Sequence, residues 1–129
     1  ALILVGKKMP ENRRDDMCTK NELNSILQKL TQIYRSVYGE NLVQVILYGS
    51  YARGDYHTDS DVDVVAIVHG DRKTLQQQLK KVWDSSCELE LEYDTILSPT
   101  VIPYEEFKQY QTVLPYYRNI SQEGVVISA

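Results

Sequence analysis

Cysteine is scarce in this chain, and its two thiols, Cys18 and Cys87, lie far apart. No CxxC pair occurs, so neither a zinc ribbon nor a redox motif is supported, and two isolated thiols suit a reduced cytosol. Long apolar runs are also missing. Ala1 to Val5 is apolar but too short for a signal-peptide core or a membrane span. A cytoplasmic protein with no membrane association is therefore expected. Positive charge is not in excess: 14 Lys and Arg stand against 18 Asp and Glu, a formal net charge of −4. That argues against a broad basic face and against direct nucleic-acid binding. No GxxxxGK[ST] run occurs, which excludes a Walker-type phosphate loop. Phenylalanine and tryptophan appear once each, against ten tyrosines. Trp83 and Phe107 are expected in the core. Tyr104, Tyr110, Tyr116 and Tyr117 read as half-buried packing with wet hydroxyls, or alternatively as a partner surface.

A chain of 129 residues is expected to form one domain. Residues 1–16 are polar and charge-dense after the first five, and read as a disordered or non-native tail ahead of Met17, with the domain over 17–129. Thr19-Lys20-Asn21-Glu22 has the form of a capping box. Leu23, Ile26, Leu27, Leu30, Ile33, Tyr34 and Val37 then recur at helical steps, which predicts a helix over 20–38 ending at Gly39. "LVQVILY" at 42–48 and "DVDVVAIV" at 61–68 predict two buried strands. A helical turn at 50–53 and a loop over 54–60 lie between them. Residues 71–85 predict a second long helix. The alternation of "ELELEYDTIL" at 88–97 predicts a third strand, closed by Ser98-Pro99. Pro103 and Pro115 each suit a first helical turn, Gly124 a stop, and Val125 to Ile127 a last strand. The sum is an α/β (α+β) domain with a small mixed β-sheet flanked by helices.

Candidate chemistry gathers in "LYGSYARGDYHTDSDVDVVAIV", residues 47–68. Alternation along a strand puts Asp61 and Asp63 on one face. Two adjacent carboxylates repel unless a cation lies between them, and all-oxygen ligands suit Mg²⁺, with Mn²⁺ as an alternative. Gly49 lets a phosphate approach the backbone, Ser50 opens a helical turn, and Arg53 can neutralise phosphate charge. On the expected third strand Glu88, Glu90, Glu92 and Asp94 share one parity. Asp94 is the expected third acid, with Glu92 as the alternative, and the other acids there read as a solvated face. A surface ion pair is the plainer reading of Arg53. His57 reads as an exposed loop residue and His69 as a strand end.

Gly49-Ser50, ten residues, then Asp61-Val62-Asp63 resembles the GS–x10–DxD signature of the minimal nucleotidyltransferases, small members of the DNA polymerase β-like nucleotidyltransferase superfamily. Ala52, Arg53, Gly54 and Ser60 also match, and "LPYYRNISQEGVVI" is similar to the family's ending. The resemblance covers roughly Thr19 to Ala129. It implies the polymerase β-like fold and Mg²⁺-dependent transfer of AMP from ATP to a hydroxyl. Gly49, Ser50, Arg53 and Ser60 would bind nucleotide, and Asp61 and Asp63 metal. It further implies an antitoxin that adenylylates a tyrosine of a partner HEPN-domain RNase toxin, within a hetero-oligomer. Two other readings remain: an antibiotic-type small-molecule adenylyltransferase, and a non-catalytic binding antitoxin.

Overall fold

The computed structural model describes residues 20–55 and 61–128. The expected N-terminal tail, the capping hydroxyl of Thr19, and His57 and Ser60 in the loop lie outside the described residues.

Helix α1 (Lys20–Tyr38) forms where the apolar spacing placed it and buries Leu23, Ile26, Leu27, Leu30 and Tyr34. Gly39 follows with φ +60 and starts a short 3-10 turn, Gly39–Asn41. Strand β1 (Leu42–Tyr48) leads into the single-turn helix α2 (Ser50–Arg53) and then strand β2 (Val62–Val68). Helix α3 spans Arg72–Tyr93, with the Asp71 side chain accepting the Thr74 N–H at its N-terminus. Strand β3 (Leu97–Pro103), helix α4 (Tyr104–Tyr110), helix α5 (Pro115–Glu123) and strand β4 (Val125–Ser128) complete the chain.

The strands lie in the order β3-β2-β1-β4. β1 is antiparallel to both β2 and β4, whereas β2 and β3 are parallel, joined across α3. A parallel neighbour needs a long crossover, and α3 supplies it. The sheet is therefore mixed and covered on both faces. α1 and α3 pack on Val45, Leu47, Val62, Val64, Ala66 and Val101. On the other face Ile46, Val65, Ile67 and Ile102 meet Phe107, Tyr117 and Ile120 of α4 and α5.

The third strand is a correction. Residues 88–93 are the last turns of α3, and the strand begins at Leu97. Leu75, Leu79, Val82, Ser86 and Leu89 continue a spacing of four and three, and all are buried. Alternation would have put Leu91 on the same face as Leu89, but Leu91 is 85% exposed. Glu and Leu are strong helix formers, and no β-branched residue interrupts them. The helix ends at Asp94, which adopts φ 49. Pro99 and Pro103, read as a strand end and a helix start, both belong to β3. Proline is tolerated there because β3 is an edge strand. Trp83 also departs from expectation: it is 46% exposed, whereas Phe107 is buried.

Candidate active site

The site is assembled at one end of β1, β2 and β3. β1 ends at Tyr48, and Gly49 turns the chain with φ 74 and ψ −156. The Gly49 carbonyl accepts the N–H groups of Ala52 and Arg53, fixing α2 directly behind the turn. A side chain at 49 would run into the carboxylate of Asp63, whose Cγ lies 3.2 Å from the position of an added Cβ. Glycine here serves two ends: a backbone conformation that side chains disfavour, and close approach to an acid.

Asp63 is the second residue of β2, opposite Tyr48 of β1 and Ser98 of β3. Asp61 stands just outside the strand and accepts a hydrogen bond from Ser98 Oγ at 3.2 Å. Both acids are half-buried. Burial pushes the Asp63 carboxyl above its usual range, Asp61 raises it further, and Arg53 pulls the other way. Arg53 thus acts on the acid pair while also pairing with Asp55, Nε to Oδ2 at 3.3 Å. The plain ion-pair reading of Arg53 and its position beside the acids hold together.

Tyr48 closes one wall. Its hydroxyl lies 3.1 Å from that of Tyr116, with the rings edge to face. Burial raises the Tyr48 phenol first, and the Tyr116 hydroxyl adds to the shift. Tyr116 is 47% exposed, so the tyrosine cluster does reach the surface beside the acids. Sequence reasoning missed Tyr48 and Ser98. Tyr48 was readable, since it precedes Gly49 in a strand of known parity. Ser98 required the correct register of β3.

The expected third acid does not join the pair. Asp94 is an exposed residue at the end of α3, and Glu92 pairs with Lys29 at 3.0 Å. Their assignment depended on a strand at 88–97, and that segment is mostly helix. On β3, the residues sharing the face of Asp63 and Val65 are Ser98 and Thr100. Among the described residues no trio of His, Cys, Asp or Glu is placed to hold a metal. The donor set that remains is two carboxylates, of which Asp63 is raised first by burial and then by the charge of Asp61. Such a pair fits a hard divalent cation that keeps water and takes phosphate oxygens as its other ligands.

The family model described as nucleotidyltransferase domain matches residues 23–127, nearly the whole described chain. The chain belongs to this family. "Putative protein adenylyltransferase MJ0141" of Methanocaldococcus jannaschii is 35% identical to this nucleotidyltransferase over 80 residues, covering 62% of this chain and 79% of that one. A second protein of that organism with the same designation, MJ0604, is 28% identical over 101 residues, covering 78% and 93% of the two chains. A crystal structure described as a toxin-antitoxin with AMP-PNP aligns with TM-score 0.47 at 16% identity, covering 88% of this chain and 73% of that chain. No described helix of the nucleotidyltransferase is long and apolar enough to cross a membrane.

Proposed function

We propose that this nucleotidyltransferase transfers AMP from ATP to a tyrosine hydroxyl of a partner protein. The observation that carries the reading is the acid pair Asp61 and Asp63 set against the Gly49-Ser50 turn, with no room between Gly49 and Asp63 for a side chain. Triphosphate charge and paired carboxylates meet at that point, and only a cation reconciles them. Asp61 and Asp63 would hold Mg²⁺, or Mn²⁺, which when bound neutralises phosphate charge as pyrophosphate leaves. Gly49 and Ser50 hold the phosphates and Arg53 adds positive charge beside them; Ser60, outside the described residues, is the further nucleotide-binding residue that the resemblance implies. In the transfer, the acceptor oxygen forms a bond to the α-phosphorus. The bond from that phosphorus to the bridging oxygen breaks, pyrophosphate leaves with the electron pair, and the hydroxyl proton passes to solvent.

One line supports a protein acceptor: the relatives in Methanocaldococcus jannaschii carry the name of putative protein adenylyltransferases. The fuller reading, carried by the resemblance to the minimal nucleotidyltransferases, takes the partner to be a HEPN-domain RNase toxin in the cytoplasm. Modification of its tyrosine then makes this chain the antitoxin.

The deciding experiment is intact mass spectrometry of the partner encoded beside this chain, incubated with it, ATP and Mg²⁺. Whole AMP units on the partner, absent with Asp61→Asn, are expected. Transfer to a small hydroxyl compound in place of the partner would favour the antibiotic-type alternative. Toxin neutralisation that survives Asp61→Asn would replace catalysis with steric blocking.

A further inference from the structure

Tyr48, Asp63, Ser98 and Thr100 share one face of the sheet. Asp63 is the register partner of both Tyr48 and Ser98, and Thr100 follows Ser98 by two. Tyr116 of α5 meets the same face and sets its hydroxyl 3.1 Å from that of Tyr48. We propose that Tyr116 is itself an acceptor of AMP, so that the chain adenylylates its own phenol in cis. The inference rests on the transfer reaction proposed above and adds an activity that needs no partner.

The Tyr48 side chain starts on β1, yet its hydroxyl is hydrogen-bonded by the Thr100 side chain of β3. Neighbouring strands lie about 4.8 Å apart, so the ring must cross over β2 to reach it. It crosses beside Asp63, whose charge acts on the same phenol. The Tyr116 hydroxyl, in contact with that of Tyr48, therefore stands toward β3, on the face that carries Asp63 and Ser98. Ser98 in turn donates to Asp61. The phosphate-binding turn lies at the end of β1, on the other side of β2. In-line displacement needs the attacking and leaving oxygens on opposite sides of the phosphorus. With the phosphates toward β1, an attacking oxygen comes from the β3 side, and Tyr116 brings a phenol there.

Access separates Tyr116 from other tyrosines. It is 47% exposed, whereas Tyr34, Tyr38 and Tyr51 are buried. The Tyr117 hydroxyl is engaged by Arg72 and Glu106. Tyr48 is half-buried, and burial holds its phenol well above the usual range. Tyr48 therefore keeps its proton and donates to Tyr116 in their contact. A hydrogen bond received by the Tyr116 oxygen favours its phenolate form. In the step itself, that oxygen forms a bond to the α-phosphorus of ATP. The bond from this phosphorus to the bridging oxygen breaks, pyrophosphate leaves with the electron pair, and the phenolic proton passes to solvent.

The test is intact mass spectrometry of the full chain alone with ATP and Mg²⁺, beside Asp61→Asn and Tyr116→Phe. One AMP unit on the parent chain is expected, with fragment masses placing it on Tyr116 and with both variants unchanged. Tyr116→Phe keeps the ring that packs against Tyr48 and Tyr117, and an unaltered Tm checks that it folds. No gain on the parent chain, or a gain on another residue, would overturn the inference. Mixing the two variants tests the cis route. The Asp61→Asn chain, whose Tyr116 is intact, should stay unmodified, and AMP on it would overturn the inference in favour of transfer between copies. A parallel tube holds the partner protein. AMP on the partner with none on the parent chain would overturn self-modification and leave the proposed function standing, whereas AMP on neither would remove both.

Discussion

At Gly49 two constraints coincide, and substitution there separates them from a simple backbone effect. Gly39 and Gly49 both have positive φ, but an added Cβ meets nothing within 4 Å at Gly39 and the Asp63 carboxylate at Gly49. Gly39→Ala should cost about 1 kcal/mol, the left-handed penalty alone. Gly49→Ala should cost about 2 to 4 kcal/mol, because it must also displace Asp63. Urea denaturation measures both. Asp63 itself should be a stability liability in the free protein. Its folded pKa lies above the ordinary aspartate range, chiefly through burial and then Asp61. A raised carboxyl favours the fold while protonated and loses that contribution as pH rises through its folded pKa. Asp63→Asn should therefore raise Tm at neutral pH and flatten the fall in stability between acid and neutral solution. Mg²⁺ should raise Tm of the parent chain and not that of Asp63→Asn, which differential scanning calorimetry can compare directly.

At the scale of elements, α3 and β3 show how two periodicities compete in one segment. The run from Glu88 to Tyr93 alternates like a strand, yet its apolar residues also complete a helical face begun at Leu75. The helix prevails because Leu89 can be buried beneath it while Leu91 is left to solvent. Leu89→Ala should cost about 2 to 4 kcal/mol and Leu91→Ala less than about 0.5, whereas a strand would have made the two alike. Asp94→Gly tests the same junction. Glycine relieves a left-handed residue, so stability should rise by about 0.5 to 1 kcal/mol. AMP transfer, read by partner mass, should be retained; its loss would restore Asp94 as a catalytic acid. The strand after it was hidden by two prolines, which are admissible in β3 because it has a neighbour on one side only.

In the whole molecule, a buried phenol ties α1 to the sheet. The Tyr34 hydroxyl donates to the Thr100 carbonyl at 2.8 Å, with the Val64 carbonyl at 3.4 Å, linking α1 to β3 and β2. Burial holds that phenol well above its ordinary pKa, so it remains a donor through neutral and alkaline solution. Tyr34→Phe should cost about 1 to 2 kcal/mol, measured by thermal or urea unfolding, since it removes the hydroxyl that the Thr100 carbonyl accepts from. Much of the assembly could be read from the chain by itself. The face of α1, the buried runs of β1 and β2, the turn at Gly49-Ser50 and the nearness of Asp61 to Asp63 are local facts of spacing, and local spacing survives folding. The extent of α3, the register of β3 and the partners of Asp61 are not local. Residues 88–93 satisfy two periods at once, and only packing on α1 and the sheet selects between them. Ser98 reaches Asp61 because β3 lies parallel beside β2, at a register set by the crossover through α3. Sequence alone determined which residues could bring charge to the site; tertiary structure decided which stand together, because strand neighbours are chosen by burial across the whole sheet.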